Sequence, residues 1–503
     1  MVPGSSACAA GEADADSEPS TFLFVASCLS NQSALLGERY GVSWVLFAKL
    51  PKRTFASTIC APISGPNEIL ANMSQPTYRT LRLLILLEGF TCLGMWCLCA
   101  QDYSEPARQA DFKTFIAGFK NNYAYRDRAE KPWETWQSRY SAAVDSATSA
   151  ETYAAVFESA LDELHDFHAE VRSRNPHRWL PVPTFTDTWA ELRGQDAVVI
   201  AVRRGSDAER GGIVPGDRVT RIGADSLQTA IAERLTPAVD NNDPKARTWA
   251  LLSLLTGRAD EARHFTIMNR NGQSRSVTLE LERRFERSAG ALSSTVLTGN
   301  VGLVRFNNSL GDQKTVAAFD TALEQLRSTR GLVLDLRDVP SGGDSSVALG
   351  IMGRFVQTMQ PYQRHRIPRY GQPDVERNWI EMVAPRGPFP YKAPVVVLVD
   401  HWTGSMGEGM AIGFDAMHRA VVVGTTMAHL AGAVSDFRLP QTGIDVAFAT
   451  EQLYHVKGTP RQDWIPPIPV ENTAAESTDL IMARGLSKLR SMIASISRGR
   501  LVK

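Results

Sequence analysis

Two short apolar runs, at residues 331–336 and 394–399, constrain the fold of this chain more than any other feature. Each run is too short for a typical helix and ends at small or turn-forming residues, which predicts a buried strand. Further strands are predicted at 301–306 and 420–423, and these strands alternate with helices predicted at 313–328, 345–355 and 406–417. Alternation of this kind is typical of a layered α/β domain.

The second apolar run ends at a turn of small residues, 403–408, that contains Ser405. A serine at the end of a strand is well placed to be a nucleophile, because the strand fixes its backbone and small neighbours admit a substrate carbonyl. The backbone amide of Met406 would then stabilise an oxyanion. The alternative is that Ser405 only caps the helix that follows.

The first apolar run ends at a loop, 338–344, that contains the pair Gly342 and Gly343. Glycines let a backbone amide approach a developing negative charge, so either residue is a candidate for a second oxyanion donor. A glycine pair alone more often marks an ordinary turn. The prediction therefore depends on both strands ending at loops of suitable chemistry.

Three segments, 164–168, 332–343 and 398–408, resemble motifs of the tail-specific (C-terminal processing) and tricorn-type serine peptidases. The resemblance covers roughly residues 105–500, and it implies an α/β fold with a crotonase-like (ClpP/crotonase) catalytic core. An inserted PDZ-like domain and an N-terminal helical domain would complete the fold. It also implies hydrolysis of peptide bonds in peptides or at protein C-termini, without a metal or organic cofactor.

The family uses either a lysine or a histidine as the base, and this sequence favours the histidine. No lysine occurs from Met406 through Val456, and Leu430 stands where the lysine is expected. An imidazole, with an ordinary pKa of about 6.5, is a natural acceptor for a serine proton. His168 matches the family's base position, although Phe167 replaces the serine that precedes the base in tricorn-type enzymes.

A third group usually holds the histidine in one tautomer. The family's glutamate would fall at Arg461 or Gln462, so the nearest carboxylate is Asp463. We expect Asp463 to orient His168, and the alternative is a solvated loop aspartate. Glu408, three residues after the serine, is expected to hold the active-site loops together.

Two alternative functions remain open at this stage. An α/β-hydrolase-type esterase would use Gly-x-Ser-x-Gly, which this chain misses only at Thr403, with a downstream base at His429 or His455. The second alternative is a catalytically inactive peptide-binding protein on the same scaffold, because a fold does not guarantee its chemistry.

The first hundred residues predict export. Residues 73–100 have a basic start, an apolar stretch and a small-residue cleavage site, as in a secretory signal peptide. A membrane anchor is disfavoured because Glu88 interrupts the short apolar span, so we expect a secreted or periplasmic protein without stable membrane insertion after cleavage. Residues 1–72 are expected to be an upstream extension. All six cysteines precede residue 100, so the body of the protein has neither disulfides nor cysteine-based metal sites.

The pattern of predicted helices and strands divides the remaining chain into three predicted domains. These are a helical domain at 101–182, a PDZ-like domain with short strands at 183–290, and the peptidase core at 291–503. The PDZ-like part either binds extended peptide ends or serves only as a spacer. The chain has 54 basic and 54 acidic side chains, a balance that gives no electrostatic footprint for nucleic acid.

Overall fold

The computed structural model describes residues 102–126, 132–172, 175–235, 242–280, 290–368, 376–471 and 479–501. The predicted extension (1–72) and signal peptide (73–100) lie outside these ranges, and so do all six cysteines. Within the described ranges, no helix has the length and apolar character needed to cross a membrane.

The described residues form ten α-helices and seventeen strands. The helices are α1 (Glu105–Asn122), α2 (Trp136–Ser146), α3 (Ala150–Asp162), α4 (Asp207–Arg210), α5 (Leu227–Arg234), α6 (Pro244–Thr256), α7 (Lys314–Gln325), α8 (Ser345–Met352), α9 (Met406–Ala416) and α10 (Leu480–Leu501). Short 3-10 helices lie at Pro132–Glu134, Gly353–Phe355 and Arg461–Asp463. The strands are β1 (Glu170–Val171), β2 (Thr188–Arg193), β3 (Asp196–Val202), β4 (Arg218–Ile222), β5 (Asp225–Ser226), β6 (Arg263–Met268), β7 (Ser274–Leu279), β8 (Leu292–Leu297), β9 (Val301–Phe306), β10 (Gly331–Asp335), β11 (Gln360–Ile367), β12 (Arg377–Val383), β13 (Val395–Val399), β14 (Val421–Gly424), β15 (Ala433–Arg438), β16 (Asp445–Tyr454) and β17 (Ile468–Pro469).

The central sheet has the strand order β17-β14-β13-β10-β9-β8. All neighbours in it are parallel except β8, which pairs antiparallel with β9. One face packs on α7, α8 and α9, and the other face packs on α10. Strands β10 and β13 are buried along their whole length, which explains why their sequences are apolar apart from Asp335 at the end of β10. Asp335 pairs with Leu398, so β10 and β13 end side by side and their loops emerge together.

A second, antiparallel sheet has the order β2-β3-β4-β6-β7, with β5 paired to β4. Helices α5 and α6 pack with this sheet in one apolar cluster. These elements lie within residues 183–290, where the sequence predicts short strands. We call this part, residues 188–279, the inserted module.

A third sheet, of order β1-β16-β11-β12 with β15 paired to β16, supports the N-terminal helices. The rings of Phe119 in α1 and Phe448 in β16 lie 4.8 Å apart between centroids, and the Ala124 amide donates to the Ala449 carbonyl at 2.8 Å. Helices α1 to α3 therefore share one apolar core with residues from the C-terminal part of the chain. This shared core fixes the position of the end of α3, and of the residues that follow it, relative to the C-terminal part of the chain.

Helix α3 ends at Asp162, before it reaches His168. His165 has a φ of 48°, a left-handed conformation that a helix cannot contain. The Asp166 carboxylate then accepts the His168 amide at 3.0 Å and the Tyr123 hydroxyl at 2.8 Å, which stabilises a turn. His168 consequently lies on a loop directly before β1.

Candidate active site

The loops that follow β10 and β13 are joined by backbone and side-chain hydrogen bonds. Val339 and Thr403 form an isolated parallel bridge, and the Gly404 amide donates to the Val339 carbonyl at 3.1 Å. The Thr403 hydroxyl donates to the carbonyl of Leu336 at 3.0 Å. These contacts hold the glycine loop against the turn that contains Ser405.

Ser405 occupies a strained position immediately before α9. Its φ is 47° and its ψ is −108°, a conformation that costs a non-glycine residue on the order of 1–3 kcal/mol. The Ser405 amide donates to Glu408 Oε2 at 2.8 Å, which helps to hold this backbone in place. The next amide, of Met406, has no acceptor among the described residues. A half-buried hydroxyl therefore stands next to an unengaged N–H group.

Gly342 lies directly against this nucleophile turn. Its φ is 65°, and a Cβ atom added to it would lie 2.4 Å from Ser405 Cβ, 2.9 Å from Ser405 Oγ and 2.8 Å from the Met406 nitrogen. Only glycine leaves room at this point for the hydroxyl and for an approaching substrate.

The two glycine amides are not equivalent. The Gly342 amide donates within its own turn to the Val339 carbonyl at 3.3 Å, whereas the Gly343 amide has no acceptor in the described part of the chain. Gly343 is also exposed, and a Cβ added to it would lie 2.4 Å from the Leu310 carbonyl oxygen. Gly343 is therefore the better placed of the two to donate to a substrate.

His168 is held by a backbone carbonyl. Its Nδ1 lies 2.7 Å from the Ala431 oxygen, and because a carbonyl can only accept, Nδ1 carries the proton and Nε2 is left as the acceptor. Burial, together with the positive charge of Arg461, lowers the pKa of His168 to about 4. The ring is therefore neutral at neutral pH.

Ser405 and His168 approach the same short segment, residues 428–431. At its start, the Ala428 amide donates to the carbonyl of Thr403, two residues before the serine, at 3.0 Å. At its end, Ala431 accepts the His168 ring. Both side chains are in the described part of the chain, and no hydrogen bond there joins the Ser405 hydroxyl to the His168 ring.

Two buried charges, Arg461 and Glu408, complete the site. Arg461 Nη2 donates to the carbonyls of Leu430 at 3.0 Å and Gly432 at 2.7 Å, and it lies 3.8 Å from Glu408 Oε2. Burial raises the pKa of Glu408 to about 7, although the charge of Arg461 and the hydrogen bond from the Ser405 amide oppose this rise. Glu408 thus contacts the backbone of Ser405.

The structure does not bring Asp463 to His168. Arg461 and Trp464, on either side of it, are buried, and this arrangement leaves Asp463 exposed on the outside of the 3-10 turn. Its carboxylate accepts no hydrogen bond from the described residues, and the Ala431 carbonyl occupies the His168 nitrogen that an orienting carboxylate would use. Arg461, two residues earlier in the sequence, is the residue that reaches the site.

The alternative bases have other partners. His455 Nε2 lies 3.2 Å from Asp415 Oδ2, near the far end of α9. At about 1.5 Å of rise per residue, that end is roughly 15 Å from Ser405. His429 is exposed, and its Nδ1 lies 2.5 Å from the Gln462 carbonyl oxygen.

The inserted module contacts both active-site loops, which sequence reasoning did not predict. The indole N–H of Trp402, three residues before the serine, donates at 2.6 Å to the carbonyl of Thr186, two residues before the module begins, and Trp402 is buried in the apolar cluster of the module. On the glycine loop, Asp338 accepts Arg203 Nη2 at 2.6 Å. The sequence signal for this contact was Trp402, a large aromatic residue directly before a turn of small residues.

Residues 300–467, about a third of the chain, match the model of peptidase family S41. A protein with this match, and with a serine turn beside a glycine loop, is a serine-type peptidase. More particularly, this match supports a tail-specific peptidase of the S41 type. The esterase and the inactive binding protein are therefore not retained.

Three solved structures illustrate the likeness of fold. Mature CPAF has a TM-score of 0.54 at 14% identity, covering 78% of this chain and 98% of that chain. Mature CPAF complexed with lactacystin has a TM-score of 0.50 at 14% identity, with the same coverage of 78% and 98%. The photosystem II D1 C-terminal processing protease has a TM-score of 0.47 at 16% identity, covering 75% of this chain and 96% of that chain. A search of the curated proteins finds no match. The CPAF structures agree with a mixed α/β fold over most of this chain.

Proposed function

We propose that Ser405 and His168 are the nucleophile and general base of this peptidase. One observation carries the proposal: a Cβ added to Gly342 would lie 2.9 Å from the Ser405 hydroxyl and 2.8 Å from the unengaged Met406 nitrogen, so these two groups lie side by side against this glycine. A nucleophile beside an oxyanion donor is the arrangement that acyl transfer requires.

In the proposed reaction, Ser405 Oγ attacks the carbonyl carbon of a peptide bond, and its proton passes to His168 Nε2. The oxyanion accepts hydrogen bonds from the amides of Met406 and Gly343, and Gly342 supplies the room for it. Collapse of this intermediate breaks the C–N bond, and His168 returns the proton to the leaving amine. Water then hydrolyses the acyl-enzyme by the same steps.

The Ala431 carbonyl takes the orienting role that the sequence analysis expected of Asp463. It fixes the tautomer of His168 as a carboxylate would, because the hydrogen bond to Nδ1 leaves Nε2 as the acceptor. It supplies no full negative charge to the imidazolium. Glu408 holds the backbone of Ser405 through its amide.

The finer assignments belong to the same proposal. The central sheet and its helices form a crotonase-like core, the inserted module is PDZ-like, and α1 to α3 form the N-terminal helical domain. The parallel order of β9, β10, β13 and β14 and the antiparallel order of the module support these assignments. The substrate is a peptide or a protein C-terminus, and residues 73–100 direct export to a secreted or periplasmic location.

The test is hydrolysis of a mixed peptide library by Ser405→Ala. We expect turnover to fall by about 10⁴-fold or more while the melting temperature is unchanged, because the nucleophile is lost without a change of packing. Ser345→Ala, at an exposed serine one loop away, is the matched control and should keep the wild-type rate. Undiminished hydrolysis by Ser405→Ala would refute the assignment.

A further inference from the structure

We propose that Arg461 is a positioning residue that holds the His168 base and the Ser405 nucleophile in a fixed relative position. This inference rests on the proposed function of the same site. It is carried by the contacts of one guanidinium group with the supports of both side chains.

On the side of the base, Arg461 contacts the segment that holds the histidine. Its Nη2 donates to the carbonyls of Leu430 and Gly432, the two residues that flank Ala431. Ala431 in turn accepts the Nδ1 proton of His168 at 2.7 Å. The guanidinium therefore fixes the direction of the carbonyl that orients the base.

On the side of the nucleophile, Arg461 faces the carboxylate that holds Ser405. The same Nη2 atom lies 3.8 Å from Glu408 Oε2, and that oxygen accepts the Ser405 amide at 2.8 Å. One guanidinium thus connects the support of the base with the support of the nucleophile. Without this group, no guanidinium would fix the segment that contains Ala431 relative to the turn that contains Ser405.

The ion pair is poorly suited to a purely stabilising role. Arg461 is 3% exposed and Glu408 is fully buried, so both charges are removed from water. Arg461 Nε and Glu408 Oε1 each have no hydrogen-bond partner in the described part of the chain. Because a buried pair with unsatisfied atoms gains little over apolar residues, its presence beside the site favours a role in positioning.

Arg461 also sets the charge around the base. With burial, its positive charge favours the neutral imidazole, and Arg172 acts in the same direction, whereas the carboxylate of Asp166 opposes them. The charged and titratable groups near Arg461 itself are Glu408 and Tyr362. Removal of the guanidinium charge would therefore raise the pKa of His168. If a carboxylate stood in this place, its removal would lower the pKa of His168 instead.

The test compares Arg461→Met with Arg461→Lys, by rate and by pH profile on the same peptide. Met keeps a long unbranched chain but loses the charge and the donors, so we expect kcat to fall about 100-fold and the acidic limb of kcat/KM to move to higher pH. Lys keeps the charge and one carbonyl contact, so its acidic limb should stay with wild type and its rate should recover at least tenfold over Met. A wild-type rate and limb in Arg461→Met would overturn the proposal.

Two further arms keep the outcome decisive. If Arg461→Met shows no cooperative melting, Arg461→Lys decides alone: an acidic limb shared with wild type supports the proposal, and a limb displaced upward overturns it. Ser405→Ala is assayed alongside. Activity in Ser405→Ala refutes the proposed function itself, whereas an inactive Ser405→Ala with a normal Arg461→Met refutes only the role of Arg461.

Discussion

The Nδ1 atom of His168 lies 2.7 Å from the carbonyl oxygen of Ala431 and has no carboxylate partner in the described part of the chain. The carbonyl fixes the tautomer, but it offers the imidazolium less charge stabilisation than a carboxylate would. Burial and Arg461 disfavour the imidazolium further. The base of this peptidase is therefore expected to be neutral over an unusually wide pH range.

The pH profile of the wild-type enzyme should show this directly. A general base acts in its neutral form, and a pKa lowered to about 4 keeps His168 neutral at pH values where a free imidazole, near 6.5, would be protonated. We expect the acidic limb of kcat/KM to lie well below pH 6. Circular dichroism across the same range controls for acid unfolding, and a limb at or above pH 6.5 in folded protein would contradict the expectation.

Gly342→Ala should abolish the reaction of Ser405 with substrate. The added methyl would lie 2.4 Å from Ser405 Cβ and 2.8 Å from the Met406 nitrogen, where no atom fits without displacement of the turn. We expect peptide hydrolysis to fall by about 10²-fold or more, since small displacements of reacting groups have effects of this size.

Gly194→Ala is the matched control for that substitution. Gly194 has the same φ of +65°, but no atom lies within 4 Å of its added Cβ. Both variants should lose about 1–2 kcal/mol of unfolding free energy from backbone strain, and Gly342→Ala should lose more because its methyl also collides with the turn. Only Gly342→Ala should lose activity, and equal activities in the two variants would show that the glycine loop does not border the reacting atoms.

Trp402→Phe should weaken the attachment of the inserted module to the nucleophile turn. Phe keeps most of the ring but leaves the buried Thr186 carbonyl without its donor, at an expected cost of about 1–3 kcal/mol in the free energy of unfolding. The indole N–H of Trp379 has no acceptor in the described part of the chain, so Trp379→Phe should change stability by less than about 0.5 kcal/mol. Denaturant unfolding of both variants measures the difference, and equal losses would remove the argument for this anchor.

The central strands could be predicted from sequence because their residues are buried on both faces. The strand predicted at 301–306 is β9 with the same bounds, the run at 394–399 contains β13 (Val395–Val399), and Ser405 stands immediately before α9 as expected. Local composition was sufficient to predict these elements, because short apolar runs bounded by glycine or proline form few structures other than buried strands.

The supports of the candidate site could not be predicted in the same way. The end of α3 depends on a side-chain contact between Asp166 and Tyr123, far apart in sequence. The partner of His168 is the backbone carbonyl of residue 431. Any residue at this position would supply a carbonyl, so the sequence cannot indicate this hydrogen bond. Arg461 was visible only as a departure from a motif, because its burial beside Glu408 is a product of tertiary packing.

The most direct test of the catalytic pair is the rate at which a fluorophosphonate reacts with Ser405, measured by mass spectrometry of the modified peptide, in wild type and in His168→Ala. If His168 takes the proton of Ser405, the wild-type adduct maps to Ser405 and the variant forms it at least 100-fold more slowly, in line with the usual contribution of a general base. Equal rates in the two proteins, or an adduct on another residue, would contradict the assignment.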